Sequence, residues 1–282
     1  MTKTPEISPE LRRRLAGIRH VALDMDGTIY LGDTVFPFTA AFLGQLDRLG
    51  IGYSFLTNNP TRSRRDYLAK LLRMGIPARE EQIYTSVAVT IDYLRTHYPA
   101  ARRLYMLGTP SMAGQFAESG FISISEDDQE APDAVVISFD TTLTYPRLCR
   151  AAWWLSQGLP YVATNPDRVC PTEFQTVLVD CGSLCACLET ATSRRPEAVC
   201  GKPAPMMLAP LLRDHGLRPD ELAMVGDRLY TDVAMAAGIG ALGVLTLTGE
   251  TTPEMLEGAT LQPDLTVESI SRFGDILQDI RR

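Results

Sequence analysis

The sequence predicts an α/β protein built on a mostly parallel sheet and interrupted by a second, inserted α/β domain. Three observations predict it. Short apolar runs alternate with turns and amphipathic, helix-like segments along the chain. Three of those runs end abruptly in polar residues: 21–28 (VALDMDGT), 53–59 (YSFLTNN) and 222–232 (LAMVGDRLYTD). Finally, 145 residues separate Thr57 from Lys202, far more than one crossover connection needs.

In chain order, strands are expected at 20–23, 52–56, 104–107, 134–139, 161–163, 198–200, 222–225 and 241–247. Thr61-Arg62-Ser63 leads into a helix over 64–74, with Thr61 and Ser63 read as caps. Thr109-Pro110 opens a helix over 111–119, Thr144 one over 145–157, and Pro203 with Pro205 one over 206–215, because proline suits the first helical turn. The stretch between Thr57 and Lys202 contains its own strands and helices, enough for an independent core, so the domain around it is discontinuous.

Composition excludes several classes of function. The 282 residues fit two ordinary domains, and 45% hydrophobic with 22% charged residues argues against a disordered polymer. A net charge of −7 provides no general attraction for a nucleic acid polymer or an anionic membrane, so any phosphate must be gripped by local groups. No apolar run approaches the roughly 18 residues needed to span a bilayer. The first twenty residues are polar and broken by Pro5 and Pro9; Arg12, Arg13 and Arg14 read as a solvated helical face, not as part of a secretory signal. The six cysteines are expected to be reduced, in the cytoplasm. Those in 180–189 (DCGSLCACLE) lack metal-site spacing and read as small buried residues starting a helix, and Cys200 reads as an inert buried thiol. His20, His97 and His215 fit no ligand spacing and read as structural; Trp153-Trp154 reads as core packing.

Parallel sheets bind ligands outside the carboxyl ends of their strands, so the polar residues closing the three runs are expected to share a pocket. Asp24 and Asp26 stand two apart, which in an extended run turns both carboxylates to one side. With a divalent cation and a lysine nearby, one acid can stay ionised as a nucleophile toward phosphorus while the other carries a proton. Gly27 lets the backbone turn and bring N–H groups toward a phosphate. Thr57, Asn58 and Asn59 supply a hydroxyl and amides, Lys202 an ammonium, and Asp227 a second carboxylate for a hard cation such as Mg²⁺, with Asp232 in support. Within the insertion, 162–171 (VATNPDRVCP) reads either as an Asn-Pro-Asp turn or as a segment offering Asn165, Asp167 or Arg168 to the substrate's leaving group, Asp167 first.

The ordered set DMDGT, TNN, GKP and GDRLYTD resembles the haloacid dehalogenase superfamily of phosphotransferases, and more closely its NagD-like, subclass IIA phosphatases, over residues 20 to 250. The resemblance implies a Rossmann-like core formed by 1–81 and 183–282 and a large α/β cap over 82–182. It implies Asp24 as nucleophile, Asp26 as general acid/base and Lys202 as the charge-stabilising lysine, with Thr57 and Asn58 at the phosphate. It places Mg²⁺ on Asp24, the backbone carbonyl of Asp26 and Asp227, with Asp232 supporting. Dehalogenases and phosphonatases of the superfamily lack an acid at the Asp26 position, so its presence implies an oxygen leaving group. The expected activity is Mg²⁺-dependent hydrolysis of small phosphate monoesters such as phosphosugars, nucleoside monophosphates or p-nitrophenyl phosphate, through an aspartyl-phosphate. A phosphomutase or phosphotransferase would share both acids, and a non-hydrolytic phospho-ligand-binding regulatory protein could share the fold. The presence of Asp24, Asp26, Lys202 and Asp227 together favours the enzyme. The expected partner is a small phosphorylated metabolite, with a homodimer formed through the cap.

Overall fold

The structure is a computed structural model that describes residues 7–170 and 175–282; Pro5 and Pro171 lie outside them. The chain opens with α1 (Pro9–Gly17), capped by the Ser8 hydroxyl, which accepts the Leu11 N–H. Arg12 and Arg13 are exposed on it, and Arg14 is paired with Asp264. Then come β1 (His20–Asp24), a small hairpin of β2 (Tyr30–Leu31) and β3 (Thr34–Val35), α2 (Thr39–Arg48) and β4 (Gly52–Thr57). Next are α3 (Arg64–Arg73), β5 (Ile83–Thr85), α4 (Ser86–His97), β6 (Arg103–Leu107), α5 (Pro110–Glu118) and β7 (Ile122–Ile124). They lead to β8 (Ala134–Ile137), α6 (Tyr145–Ser156), β9 (Tyr161–Ala163), β10 (Val169–Cys170), β11 (Leu178–Val179), α7 (Cys181–Thr192) and β12 (Ala198–Val199). The chain finishes with α8 (Ala209–His215), β13 (Leu222–Gly226), α9 (Ala234–Ile239), β14 (Leu242–Thr246), α10 (Pro253–Glu257), β15 (Leu265–Val267) and α11 (Ile270–Ile280).

The expected strands and helices are all present, with ends moved by a few residues. Thr109 and Thr144 each accept the N–H three residues on, as helix caps do. Ser63 caps α3 reciprocally with Asp66, whereas Thr61 donates to Asn59 Oδ1 and belongs to the preceding turn. The expected helix over 206–215 divides into a 3₁₀ turn at Pro205–Met207 and α8, because Pro210 has no N–H to continue the ladder.

The chain forms two compact units, Met1–Leu56 with Leu68–Ile83 and Leu208–Arg282, and Thr57–Tyr67 with Tyr84–Met207. In the first, the strand order is β15-β14-β13-β1-β4-β5, and β1, β13 and β14 are buried along their whole length. Such strands read as continuous apolar runs because helices cover both faces of a parallel sheet. Helices α2 and α11 pack through Phe42 and Phe273, with ring centroids 6.3 Å apart. His20 is buried, bonded to Ser54 Oγ at 2.8 Å and set against the His215 ring; burial pushes its pKa down to about 3, which keeps it neutral and structural.

The second unit has the parallel order β12-β9-β8-β6-β7. Alternation divides its core in two: Leu104, Met106, Ala134, Val136 and Val162 meet α4 and α5, while Tyr105, Leu107, Val135, Ile137 and Tyr161 meet α6 and α7. This unit continues past residue 182. Leu184 and Leu188 of α7 pack on the Tyr161 side of the sheet, and β12 pairs with β9, so the small, cysteine-rich start of α7 is a buried helix end. Trp154 is buried there with the Arg150 guanidinium over its ring, but Trp153, one residue earlier on α6, is 53% exposed. No disulfide joins the cysteines among the described residues. Cys200 is buried, and burial pushes its thiol up to about 11, which leaves it unreactive. No helix is long and apolar enough to cross a membrane among the described residues.

Candidate active site

Strands β1 and β13 lie side by side in parallel, in register from His20–Leu222 to Leu23–Val225, so Asp24 and Asp227 emerge at the same level. Immediately after β1 the chain coils: Thr28 and Ile29 both donate to the Met25 carbonyl, and Gly27 takes φ +90°. That conformation disfavours any side chain, and a Cβ on Gly27 would stand 2.5 Å from Asp227 Oδ2. Gly249 presses against the same carboxylate and Gly226 against that of Asp232, each too closely for a Cβ. After β13 a π-turn over Leu229–Val233 carries Asp232 back toward the strand ends.

Ligand-type oxygens of Asp24, Asp227 and Asp232 consequently lie within 4.8 Å of one another. All three residues are buried, at 8%, 3% and 1% exposure, where mutual repulsion is little screened. Thr28 Oγ1 donates to Asp24 Oδ2 (3.3 Å), the Glu250 N–H to Asp227 Oδ2 (2.6 Å), and the Arg228 N–H to Asp232 Oδ2 (3.3 Å). Asp227 Oδ1 is buried with no hydrogen-bond partner among the described residues. Burial first, then the charges of Asp24 and Asp232, push the Asp227 carboxyl up to about 7. Three converging carboxylates, one with an orphaned oxygen, suit a hard divalent cation that takes oxygen ligands. The residues fit the expected metal.

Asp26 is placed differently. β1 ends at Asp24, so strand alternation does not extend to residue 26; its side chain is exposed, its carboxylate lies outside the three-acid cluster, and Oδ1 accepts the Gly32 N–H at 3.1 Å. Residue 26 thus lies in a turn beyond the strand, where the β2–β3 hairpin addresses its carboxylate. Residues 246–251 were absent from the expected site, yet Thr248 Oγ1 donates to the Gly27 carbonyl at 2.5 Å and Thr251 N–H to the Asp227 carbonyl. The signal was present: β14 also ends in polar residues, TLTGET.

Thr57, Asn58, Asn59, Asn165, Asp167 and Lys202 belong to the second unit. Asn58 grips the Lys202 backbone from both sides, accepting its N–H at 2.6 Å and donating to its carbonyl at 2.9 Å, and it also donates to Asp167 Oδ2 at 2.9 Å. Gly201 permits this approach, since a Cβ there would meet Asn58 Oδ1 and the Thr164 carbonyl at 2.7 Å. Lys202 is 3% exposed. Asn59 and Asn165 are engaged in bracing: Asn59 Oδ1 accepts from Thr61, while Asn165 Nδ2 donates to Asp167 and Asp180. The described part of that segment, 162–170, thus holds its turn internally, against the N-terminus of α7, where Gly182 N–H donates to the Asp167 carbonyl; Arg168 is exposed.

Two family descriptions match the chain, "Haloacid dehalogenase-like hydrolase" over residues 21–122 and a HAD-hydrolase-like family over 199–273. An acid sugar phosphatase of Staphylococcus aureus is 31% identical over 249 residues, 88% of this chain and 94% of that protein. The structure of a 4-nitrophenylphosphatase from Thermotoga maritima superposes with a TM-score of 0.87 at 37% identity, covering 93% of this chain and 98% of that one. NagD from Escherichia coli K-12 superposes with a TM-score of 0.80 at 26% identity, covering 90% and 97%. With its acidic strand ends and glycine-lined turns, the chain belongs to the haloacid dehalogenase-like hydrolases, as a NagD-like phosphatase.

Proposed function

We propose that the protein hydrolyses small soluble phosphate monoesters, among them phosphosugars, nucleoside monophosphates and p-nitrophenyl phosphate, through a phosphorylated Asp24 with Mg²⁺ as cofactor. The convergence of Asp24, Asp227 and Asp232 within 4.8 Å carries this reading. The acid sugar phosphatase and the 4-nitrophenylphosphatase among its relatives support the substrate class. Asp24, Asp227, Asp232 and the Asp26 carbonyl would hold the cation, which when bound neutralises the carboxylates and draws charge from the phosphate.

An Asp24 oxygen attacks phosphorus as the ester P–O bond breaks, and Asp26 gives its proton to the departing oxygen. Asp26 then takes a proton from the water that cleaves the acyl phosphate, releasing inorganic phosphate and restoring Asp24. Lys202 balances phosphate charge, Gly27 and Thr57 offer donors, and Asn58 holds the lysine backbone; Asn59, Asn165 and Asp167 brace the substrate-binding turns. In the same reading the catalytic core is formed by the ends of the chain, 1–81 and the part after the second unit closes at Met207, and the body of a cap by 82–182 with α7 and β12, in a cytoplasmic homodimer joined through that cap.

The test is turnover of p-nitrophenyl phosphate with Mg²⁺, then with EDTA in excess. Chelation abolishes turnover, Asp24→Asn lowers kcat/KM by at least about 10³-fold, and acid quenching traps a phosphoprotein. Normal Mg²⁺-dependent turnover by Asp24→Asn, or the absence of any acid-trapped phosphoprotein, rejects the reading.

A further inference from the structure

We propose that Lys70 is a positioning residue for Asp26, acting through the tip of the β2–β3 hairpin; the inference rests on the acid/base role proposed for Asp26. The hairpin pairs only Tyr30 with Val35 and Leu31 with Thr34, and Leu31 is 56% exposed. Two-residue strands with an exposed side chain are not stable by themselves, so the hairpin needs outside ties. One is at its base, where the Gly27 N–H donates to the Tyr30 carbonyl at 2.7 Å. Another is at its tip, and it comes from α3.

Lys70 is a helix residue whose ammonium would ordinarily extend into water. Here its side chain is only 12% exposed, and Nζ donates to the Gly32 carbonyl at 2.9 Å, sits 4.2 Å from the Tyr30 ring centroid and stands 3.7 Å from Asp33 Oδ1. Leu71 beside it is fully buried, which anchors the helix. Gly32 takes φ +59° and uses both backbone groups: its carbonyl accepts from Lys70 while its N–H donates to Asp26 Oδ1 at 3.1 Å. A single glycine thus links the Lys70 ammonium to the Asp26 carboxylate. Asp26 is exposed, and its carboxylate accepts a hydrogen bond from this hairpin, so the lysine sets where the proton donor stands.

General acid catalysis matters more as the leaving oxygen becomes more basic. Phenyl phosphate and p-nitrophenyl phosphate are similar in shape and differ in that basicity, and kcat/KM reports the steps through leaving-group departure. Lys70→Met is expected to lower kcat/KM for phenyl phosphate about tenfold and for p-nitrophenyl phosphate less than about threefold, with KM for both within about twofold of wild type. Lys70→Arg, which keeps a cation over Tyr30 and a donor for Gly32, restores phenyl phosphate turnover to within about threefold of wild type. Equal losses on both esters, or no loss on either, overturn the inference. Asp26→Asn separates the two claims: wild-type kcat/KM for phenyl phosphate in that variant removes the acid/base role itself. A selective loss in Asp26→Asn without one in Lys70→Met removes only the part assigned to Lys70.

Discussion

Asp227 has one carboxylate oxygen held by the Glu250 N–H and the other buried without a hydrogen bond among the described residues, with two further acids within 4.8 Å. Its pKa rises from 3.8 to about 7, so as pH climbs between those values the unfolded chain releases this proton before the folded one does. The stability that Asp227 contributes to the metal-free protein is therefore fully present below pH 3.8 and is lost as pH rises through about 7. Asp227→Asn removes the anion while keeping the shape. In EDTA at pH 8 it is expected to raise Tm by about 3 °C or more, a gain that shrinks toward pH 4.5. Thermal unfolding at the two pH values checks this, and an equal or lower Tm at pH 8 contradicts it. Residue types at this scale were legible from sequence: Asp24, Asp227 and Asp232 are polar residues following buried strands. The bond between Asp26 and the Gly32 N–H was not, because it depends on a turn that begins one residue after β1 ends.

At the scale of elements, the acids approach one another because glycines stand where the neighbouring backbone presses on them. Gly249 lies in the loop after β14, and a Cβ on it would strike the Asp227 carboxylate, whereas a Cβ on Gly258 meets nothing within 4 Å. Gly249→Ala is accordingly expected to destabilise the protein by about 1–3 kcal/mol in urea unfolding, and Gly258→Ala to stay within about 0.5 kcal/mol. Comparable effects of the two substitutions would contradict the crowding at Asp227. The buried strands were readable as unbroken apolar runs, and α5 and α6 by Thr-Pro or Thr caps. The β2–β3 and β10–β11 hairpins were not, since two-residue strands are too short to show a period of two.

For the whole molecule, a ligand that binds only the folded cluster stabilises it by mass action. Mg²⁺ at 100 times its dissociation constant is expected to add about 2.7 kcal/mol. The measurement is a Tm that rises with Mg²⁺ concentration in wild type, returns with EDTA, and does not respond in Asp227→Asn; a flat wild-type response would leave the three acids without their proposed partner. By itself the sequence determined the α/β class, the long insertion and the chemistry-bearing residue types, because apolar periodicity, helix caps and strand-ending acids are local patterns in the chain. Tertiary structure decided which acids form a cluster, that Asn58 clasps the backbone of Lys202, that the second sheet takes in α7 and β12, and that a hairpin addresses Asp26. Those outcomes depend on strand register, on close approaches at glycine, and on hydrogen bonds between residues as much as two hundred positions apart, none of which a local pattern encodes.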